Sequence, residues 1–469
     1  MIRFKENTKI VLGSPQIRKR IFVTLAALII FLIGSNLTIP NIKIQGLQNL
    51  DDFSFFGVIN LLGGGGLRRF SFFALGISPY ITSSIIMNLL STDLVPPLKR
   101  LMQAGEKGKA KIDFITKSIT LIVAVAQSFA LLRGLSTQSY ISYDTSSISQ
   151  FYIITILITG SFVAVWLGNI ISKKGIGNGI SLIVFAGVVS RLPTSFTQMF
   201  DFLVNTSSKQ EALTGGLQYA AYLVGFLFVI LLIIFFQEST RRIPVQHSRA
   251  SFAVRPEELA YIPIKMNPSG IMPLIFATAA ISTPTTIASF LEPGETRDRI
   301  NDVLNLRNWS GMGIYASMIL IFSFFYNQIA VNAQQLSESF LKQNTYIPGI
   351  RPGEETRKYI QKTVARISLI GALFLIFIAT LPLALTKLIN LPASTIMSGT
   401  GMIIIVSVSI QFLEQLSGLV ITYRYKKETD LYKEIPLWKK VTTWFTTDHL
   451  KNRVSVEKKE KEDEDSILW

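Results

Sequence analysis

Apolar residues gather along this chain in long blocks instead of alternating with polar ones. Residues 21–39 and 217–236 hold 19 and 20 residues without one charge, and about 20 apolar residues in a helix cross a hydrocarbon core roughly 30 Å thick. A soluble core needs no such runs. Further blocks at 70–90, 114–132, 151–171, 178–192, 270–290, 311–331, 367–385 and 394–416 bring the expected number of spans to ten. The pattern predicts an all-α polytopic membrane protein.

The block at 178–192 is the weakest of the ten, because its 15 residues would reach only about 22 Å as a helix. Charge decides in its favour. With ten spans and the N-terminus inside, the cytoplasmic segments carry 35 of the 46 Lys and Arg, the excess that the positive-inside rule demands. Without the fifth span, the basic loops around Arg241 and Arg351 and the basic tail would fall outside. Both termini are therefore expected in the cytoplasm, residues 1–20 as the N-terminal segment and 421–469 as the tail. The first block follows Arg18, Lys19 and Arg20 and ends in Leu37-Thr38-Ile39-Pro40 with no small-residue cleavage pattern, so it is expected to be a span and not a removable signal.

Composition changes this picture little. The net charge of +16 would suggest nucleic acid in a soluble protein, but here the basic residues lie between the apolar blocks and act first as topology determinants. Cysteine is absent and His247 and His449 are the two histidines, so neither disulfides nor a histidine metal site is expected. Residues 63–66, all glycine, lack the Gly-Lys-Ser/Thr of a phosphate loop, and residues 175–179 (GIGNG) lie between two spans as a tight turn. No cofactor and no catalytic constellation are expected.

Two segments do not fit simple spanning. Residues 51–69 (DDFSFFGVINLLGGGGLRR) are too short to cross and too apolar for an ordinary loop; they are expected to re-enter the membrane, which is possible where backbone is buried in protein or lines a cavity. Residues 457–465 (EKKEKEDED) have the composition of a solvated tail.

Ion-coupled transporters usually keep charged side chains within their spans, because an intramembrane charge is costly and retained for function. The span centres here have none; Lys117 and Glu414 lie near span ends. They carry uncharged polarity instead: Thr82, Ser83, Ser84, Asn88, Gln127, Thr283, Thr285, Thr286, Asn327, Gln328 and Asn332. Bonding between helices is the simplest reading for each alone. Together they also suit a water-filled path that binds no particular ion.

Four stretches carry a family likeness: residues 73–86 (FALGISPYITSSII), 175–187 (GIGNGISLIVFAG), 265–277 (KMNPSGIMPLIFA) and 346–360 (YIPGIRPGEETRKYI). They resemble the SecY family, channel subunits of the bacterial Sec protein translocase, colinearly from about residue 17 to 419. The resemblance implies two inverted five-helix halves, 21–192 and 217–420, around a central pore in the cell (cytoplasmic) membrane. Unfolded secretory polypeptides would pass through the centre, and hydrophobic segments would leave sideways between the second and seventh spans. It implies a pore ring of Ile77, Ile81, Val184, Ile275 and Ile404. It further implies a plug at about 55–69 that includes Asn60, Gly64 and Arg69, and a lateral gate with Thr82, Gln127 and Thr283. Contacts with a ribosome or the SecA motor would involve Arg241, Arg242, Arg249, Arg255 and Arg351. The partners implied are the SecE and SecG subunits, SecA, the ribosome with its RNA, signal peptides and nascent chains, and membrane lipid.

Branched apolar side chains suit such a ring, since they exclude water by dewetting and can widen without breaking specific bonds. Glycines 63–66 would let a plug swing at little steric cost. Two departures stand out: loop 237–268 lacks the family's adjacent basic pair at its tip, Arg249 and Arg255 standing apart, and the tail after Tyr425 is long. The competing readings are an inverted-repeat secondary transporter, against which the absence of intramembrane charge weighs, and a ribosome- or lipid-binding scaffold that moves nothing.

Overall fold

The computed structural model describes residues 13–40, 42–44, 55–91, 95–137, 140–144, 146–204, 209–247, 261–288, 294–306, 308–389 and 398–434. In chain order, its first half contains α1 (Pro15–Asn36), β1 (Ile42–Ile44), α2 (Phe55–Leu62), α3 (Ser78–Leu89), α4 (Pro96–Gln103), α5 (Gly105–Thr137), β2 (Ile141–Tyr143), α6 (Ser147–Lys174) and α7 (Gly179–Leu203). The second half contains α8 (Lys209–Glu238), β3 (Thr240–Pro244), β4 (Gln246–His247), β5 (Tyr261–Lys265), α9 (Met272–Ala288) and α10 (Glu295–Leu304). It continues with α11 (Trp309–Ala330), α12 (Ala333–Lys342), β6 (Thr345–Tyr346), α13 (Glu354–Ile389) and α14 (Gly399–Glu434). A 3-10 turn, Gly66–Arg69, follows α2.

All ten expected blocks coincide with helices: α1, α3, α5, α6, α7, α8, α9, α11, α13 and α14. Seven of these are individually long and apolar enough to cross a membrane. The exceptions are α1, which begins beside Arg18, Lys19 and Arg20, and the 12-residue α3 and 17-residue α9. Twelve residues rise only about 18 Å. The expected second span, 70–90, is thus helical only in its latter part. Phe70 (φ 43) and Gly76 (φ 50) adopt left-handed conformations, and Pro79 stands in the first turn of α3, where its missing N–H costs nothing. Residues 70–77 are instead a buried turn whose backbone is satisfied by the end of α1: Ile39 N donates to Phe70 O (3.2 Å) and Phe72 N to Leu37 O (2.9 Å). Irregular backbone is tolerated in a membrane when its polar groups are paired in this way.

The fifth span is longer than expected. α7 has 25 residues with Pro193 inside it, so Arg191 and Pro193 do not end the helix. Its N-cap Asn178 accepts from Ile180 N (3.2 Å), and the turn before it uses Gly177 at φ 91.

α8 has the most lipid-like environment: only 6% of its most apolar stretch is buried against protein, and Leu217, Val224, Leu227, Phe228, Leu231 and Phe235 are exposed. A helix apolar all round is a membrane helix. Charged pairs keep to the ends, as with Asp113 and Lys117 (2.7 Å, i,i+4) near the start of α5, both half-exposed.

Contact clustering separates two units. Arg20–Phe412 is one compact body. The other combines the ends of the chain; its described residues are 13–19, where Ser14 caps α1 by accepting from Arg18 N (3.0 Å), and 413–434, the latter part of α14.

The large unit has three apolar cores. The main one joins helices of both halves, from Phe31 and Ile77 to Ile275, Ile319 and Ile404. A second lies under residues 56–75 and the ends of α5 and α6. The third packs Ile243, Val245 and Ile264 against Phe340, Ile347, Ile360, Val364 and Ile367. Strand pairing builds this third core: β3 pairs antiparallel with β5, Arg241 opposite Ile264, and β4 pairs with β6, Gln246 opposite Tyr346. Two loops distant in sequence thereby become one platform.

Several polar side chains in the spans bond to the backbone of their own helix. Thr82, Ser83, Thr283 and Thr285 each donate to the carbonyl four residues earlier, at 3.2, 2.8, 2.9 and 3.3 Å. The helix backbone is the nearest acceptor where water is scarce. Tyr315 and Thr400, 3.0 Å apart and buried, do join α11 to α14.

Candidate constriction, plug and gate

Ile77 is the N-cap residue of α3, and Ile81 follows one turn later on the same face. Val184 stands on α7, Ile275 on α9 and Ile404 on α14. Their relative exposures are 0%, 5%, 0%, 4% and 0%, and all five belong to one contiguous apolar cluster. Four helices thus contribute branched side chains to one buried apolar cluster of the large unit. Val188, one turn beyond Val184, is 5% exposed in the same cluster; the i, i+4 spacing was the signal for it.

The residues of α2 and the turn after it belong to the second apolar core. α2 packs against both α7 and α9, and Phe56, Ile59 and Leu67 are buried. Asn60 organises the segment: its side-chain oxygen accepts from Leu67 N (3.0 Å) and its carbonyl from Gly65 N (2.8 Å). Its Nδ2 is buried without a hydrogen-bond partner among the described residues. Arg69 is exposed and its Nη1 donates to Asn36 Oδ1 at the end of α1. The glycines of this segment make close approaches. Gly64 has φ +79 and lies where a Cβ would strike the Phe31 ring at 2.6 Å; a Cβ on Gly76 would fall 2.0 Å from Gly63 O.

α3 packs against α5 and α9, and α9 also meets α5. These helices carry the expected gate residues. Thr82 and Gln127 are buried at 6% and 4%, while Thr283 is exposed. The Gln127 side-chain oxygen has no hydrogen-bond partner among the described residues. The two threonines spend their hydroxyls on their own helices. On α11, Tyr326 stacks on Phe276 of α9 at 4.3 Å and faces Asn88 of α3, without a well-formed hydrogen bond.

On the loop platform, Arg241 and Arg242 are exposed on β3, with the Arg242 guanidinium 4.8 Å from the centre of the Tyr261 ring. Arg249 and Arg255 lie outside the described residues. Arg351 is exposed in a turn flanked by Gly349 (φ +79) and Gly353 (φ +100); its carbonyl accepts from Thr356 Oγ1 (2.8 Å), and Ser337 Oγ donates to Gly353 O (2.6 Å).

Asn327, one of the polar span residues read as bonding between helices, is fully buried on α11 and accepts from Ser269 N (3.1 Å), tying the turn that starts α9. Sequence reasoning missed Arg191, half-buried inside α7 with its Cδ 3.5 Å from a Cβ placed on Gly65.

Residues 71–413 match the family model described as SecY. A protein translocase subunit SecY of Mycoplasmoides gallisepticum is 41% identical over 439 residues, covering 90% of this chain and 88% of the relative. One from Lactococcus lactis subsp. lactis is 33% identical over 429 residues, covering 90% and 97%. Among solved structures, one described as a protein conducting channel shares the fold at TM-score 0.65 and 18% identity, over 90% of this chain and 96% of that one. Sec61 in a canine ribosome-channel complex does so at TM-score 0.60 and 19% identity, again over 90% and 96%. These relatives leave the transporter reading without support. By the span of the family model and by identity to relatives along nearly its whole length, the chain belongs to the SecY family.

Proposed function

We infer that this chain is a protein-conducting channel of a cell membrane, through which unfolded polypeptides cross and from which hydrophobic segments pass sideways into lipid. The observation that carries this reading is the burial of Ile77, Ile81, Val184, Ile275 and Ile404, from four helices of both halves, in one apolar cluster. Such a cluster bars water and ions at rest, yet it is held by dispersion and can part around a chain. α2 and the glycine turn after it act as the plug, and the α3–α9 boundary is the exit to lipid.

The channel itself supplies no energy. A translating ribosome or the SecA motor drives the chain, docking on the platform at Arg241, Arg242 and Arg351 on the cytoplasmic side, with SecE and SecG as companion subunits. The 35 basic residues of the inward segments support this orientation. Purified channel with its companion subunits in liposomes, given SecA, ATP and an unfolded precursor, should protect that precursor from external protease. No protection under conditions where a known channel succeeds would overturn the reading.

A lock across the gate should stop transport. With no native cysteine, Thr82→Cys and Thr283→Cys can be joined by a disulfide or a short linker. We expect joined channels to lose precursor export and recover it on reduction; export at the rate of the reduced form would show that the exit does not run between these helices.

A further inference from the structure

Gly187 lies in the middle of α7 with no side chain of its own, and the backbone of the plug turn occupies the space. A Cβ built on Gly187 would fall 2.1 Å from both the carbonyl carbon and oxygen of Gly64 and 2.2 Å from its Cα. The reverse face is as close: Ile183 O is 3.4 Å from a Cβ on Gly64, and Gly187 O is 3.3 Å from one on Gly65. Gly64 is held from the other side by Phe31, fully buried. Main chain rests on main chain here, with the Phe31 ring as the clamp. Gly187 is also one turn from Ile183 and Val184, so this contact borders the ring cluster that contains both.

We propose that Gly187 is the seat of the plug: the positioning residue whose missing side chain lets the Gly64 backbone close against α7 and complete the resting seal. Gly64 needs glycine twice, for its left-handed φ of +79 and for the space. Gly187 has ordinary helical backbone, so the space alone demands glycine there. Mid-helix glycine weakens a helix relative to alanine, and this one is retained at the point where α7 meets the plug. No hydrogen bond joins Gly187 to Gly64 among the described residues, so this contact parts without breaking one.

The proposal rests on the channel reading, and it predicts plug exposure when the seat is filled. Ile59→Cys reports on the plug and Ile319→Cys on α11; both native side chains are buried, at 1% and 0%, and the chain has no other thiol. In native membranes, Gly187→Val should raise the rate of Ile59→Cys labelling by a water-soluble maleimide by about tenfold or more, through opening of the plug alone, and leave Ile319→Cys protected. The same change at Gly225, where nothing lies within 4 Å of a Cβ, should move neither rate. If Gly187→Val exposes both thiols, Gly187→Ala decides, with a smaller rise expected at Ile59→Cys alone. Unchanged Ile59→Cys labelling in Gly187→Ala or Gly187→Val, or exposure of both thiols in Gly187→Ala, overturns the proposal. Precursor transport by the unaltered chain tests the channel reading separately, so the two failures are distinguishable.

Discussion

Channels with glycine at both Ile81 and Ile275 should leak ions at rest. Both side chains are at least 95% buried within the central apolar cluster. Removing two branched side chains leaves a cavity that the surrounding helices close only in part; in a water-excluding constriction the space admits water and ions. A lost barrier of about 1.4 kcal/mol is already tenfold in rate, so resting conductance in planar bilayers should rise by at least about that factor. Valine at the same two positions keeps the branching and should hold most of the seal. Equal conductance for the glycine and unaltered channels would move the barrier elsewhere. Glycine in a helix costs about 1 kcal/mol each, so the comparison is made at matched channel abundance.

Arg351→Glu should abolish driven transport while leaving insertion and folding of the channel intact. The side chain is exposed, and among the described residues the nearby Glu354 pairs with Arg357 at 3.3 Å. The turn around it is stiff, with Gly349 and Gly353 at positive φ, Pro348 and Pro352 beside them, and hydrogen bonds from Thr356 and Ser337. A guanidinium on such a support offers a rigid fork to phosphate or carboxylate, which Lys cannot imitate. Reversing a charge at a docking centre costs about 3 kcal/mol, roughly a hundredfold in occupancy. Lys358→Glu, on the exposed side of α13 among other basic residues, should be mild. Precursor transport at equal channel abundance is the measurement, and equal defects in the two variants would make Arg351 an ordinary topology charge.

The ten helices were legible because a bilayer imposes a one-dimensional requirement: about 20 consecutive apolar residues and a bias of Lys and Arg to one side. Where a protein environment replaced lipid, that reading lost its grip. The 70–77 turn satisfies its backbone through Leu37 and Ile39, so apolar sequence there did not mean helix. α7 runs past Arg191, whose Cδ lies 3.5 Å from a Cβ built on Gly65. Nothing in the spacing of residues 237–268 and 343–354 announced that β4 would pair with β6, since pairing between distant loops leaves no local period.

The sequence by itself determined the membrane class, the helical spans and, through four motifs, the family. Local hydrophobicity and charge suffice for the first two because the solvent, not the rest of the chain, does the selecting. Only the tertiary structure decided what the polar and glycine residues do. Thr82, Ser83 and Thr283 donate to carbonyls of their own helices, and glycines make close contacts, Gly64 against Gly187 and Gly63 against Gly76. A hydroxyl has several acceptors within reach and a glycine has no side chain to mark its role, so their functions depend on which backbone or helix arrives beside them.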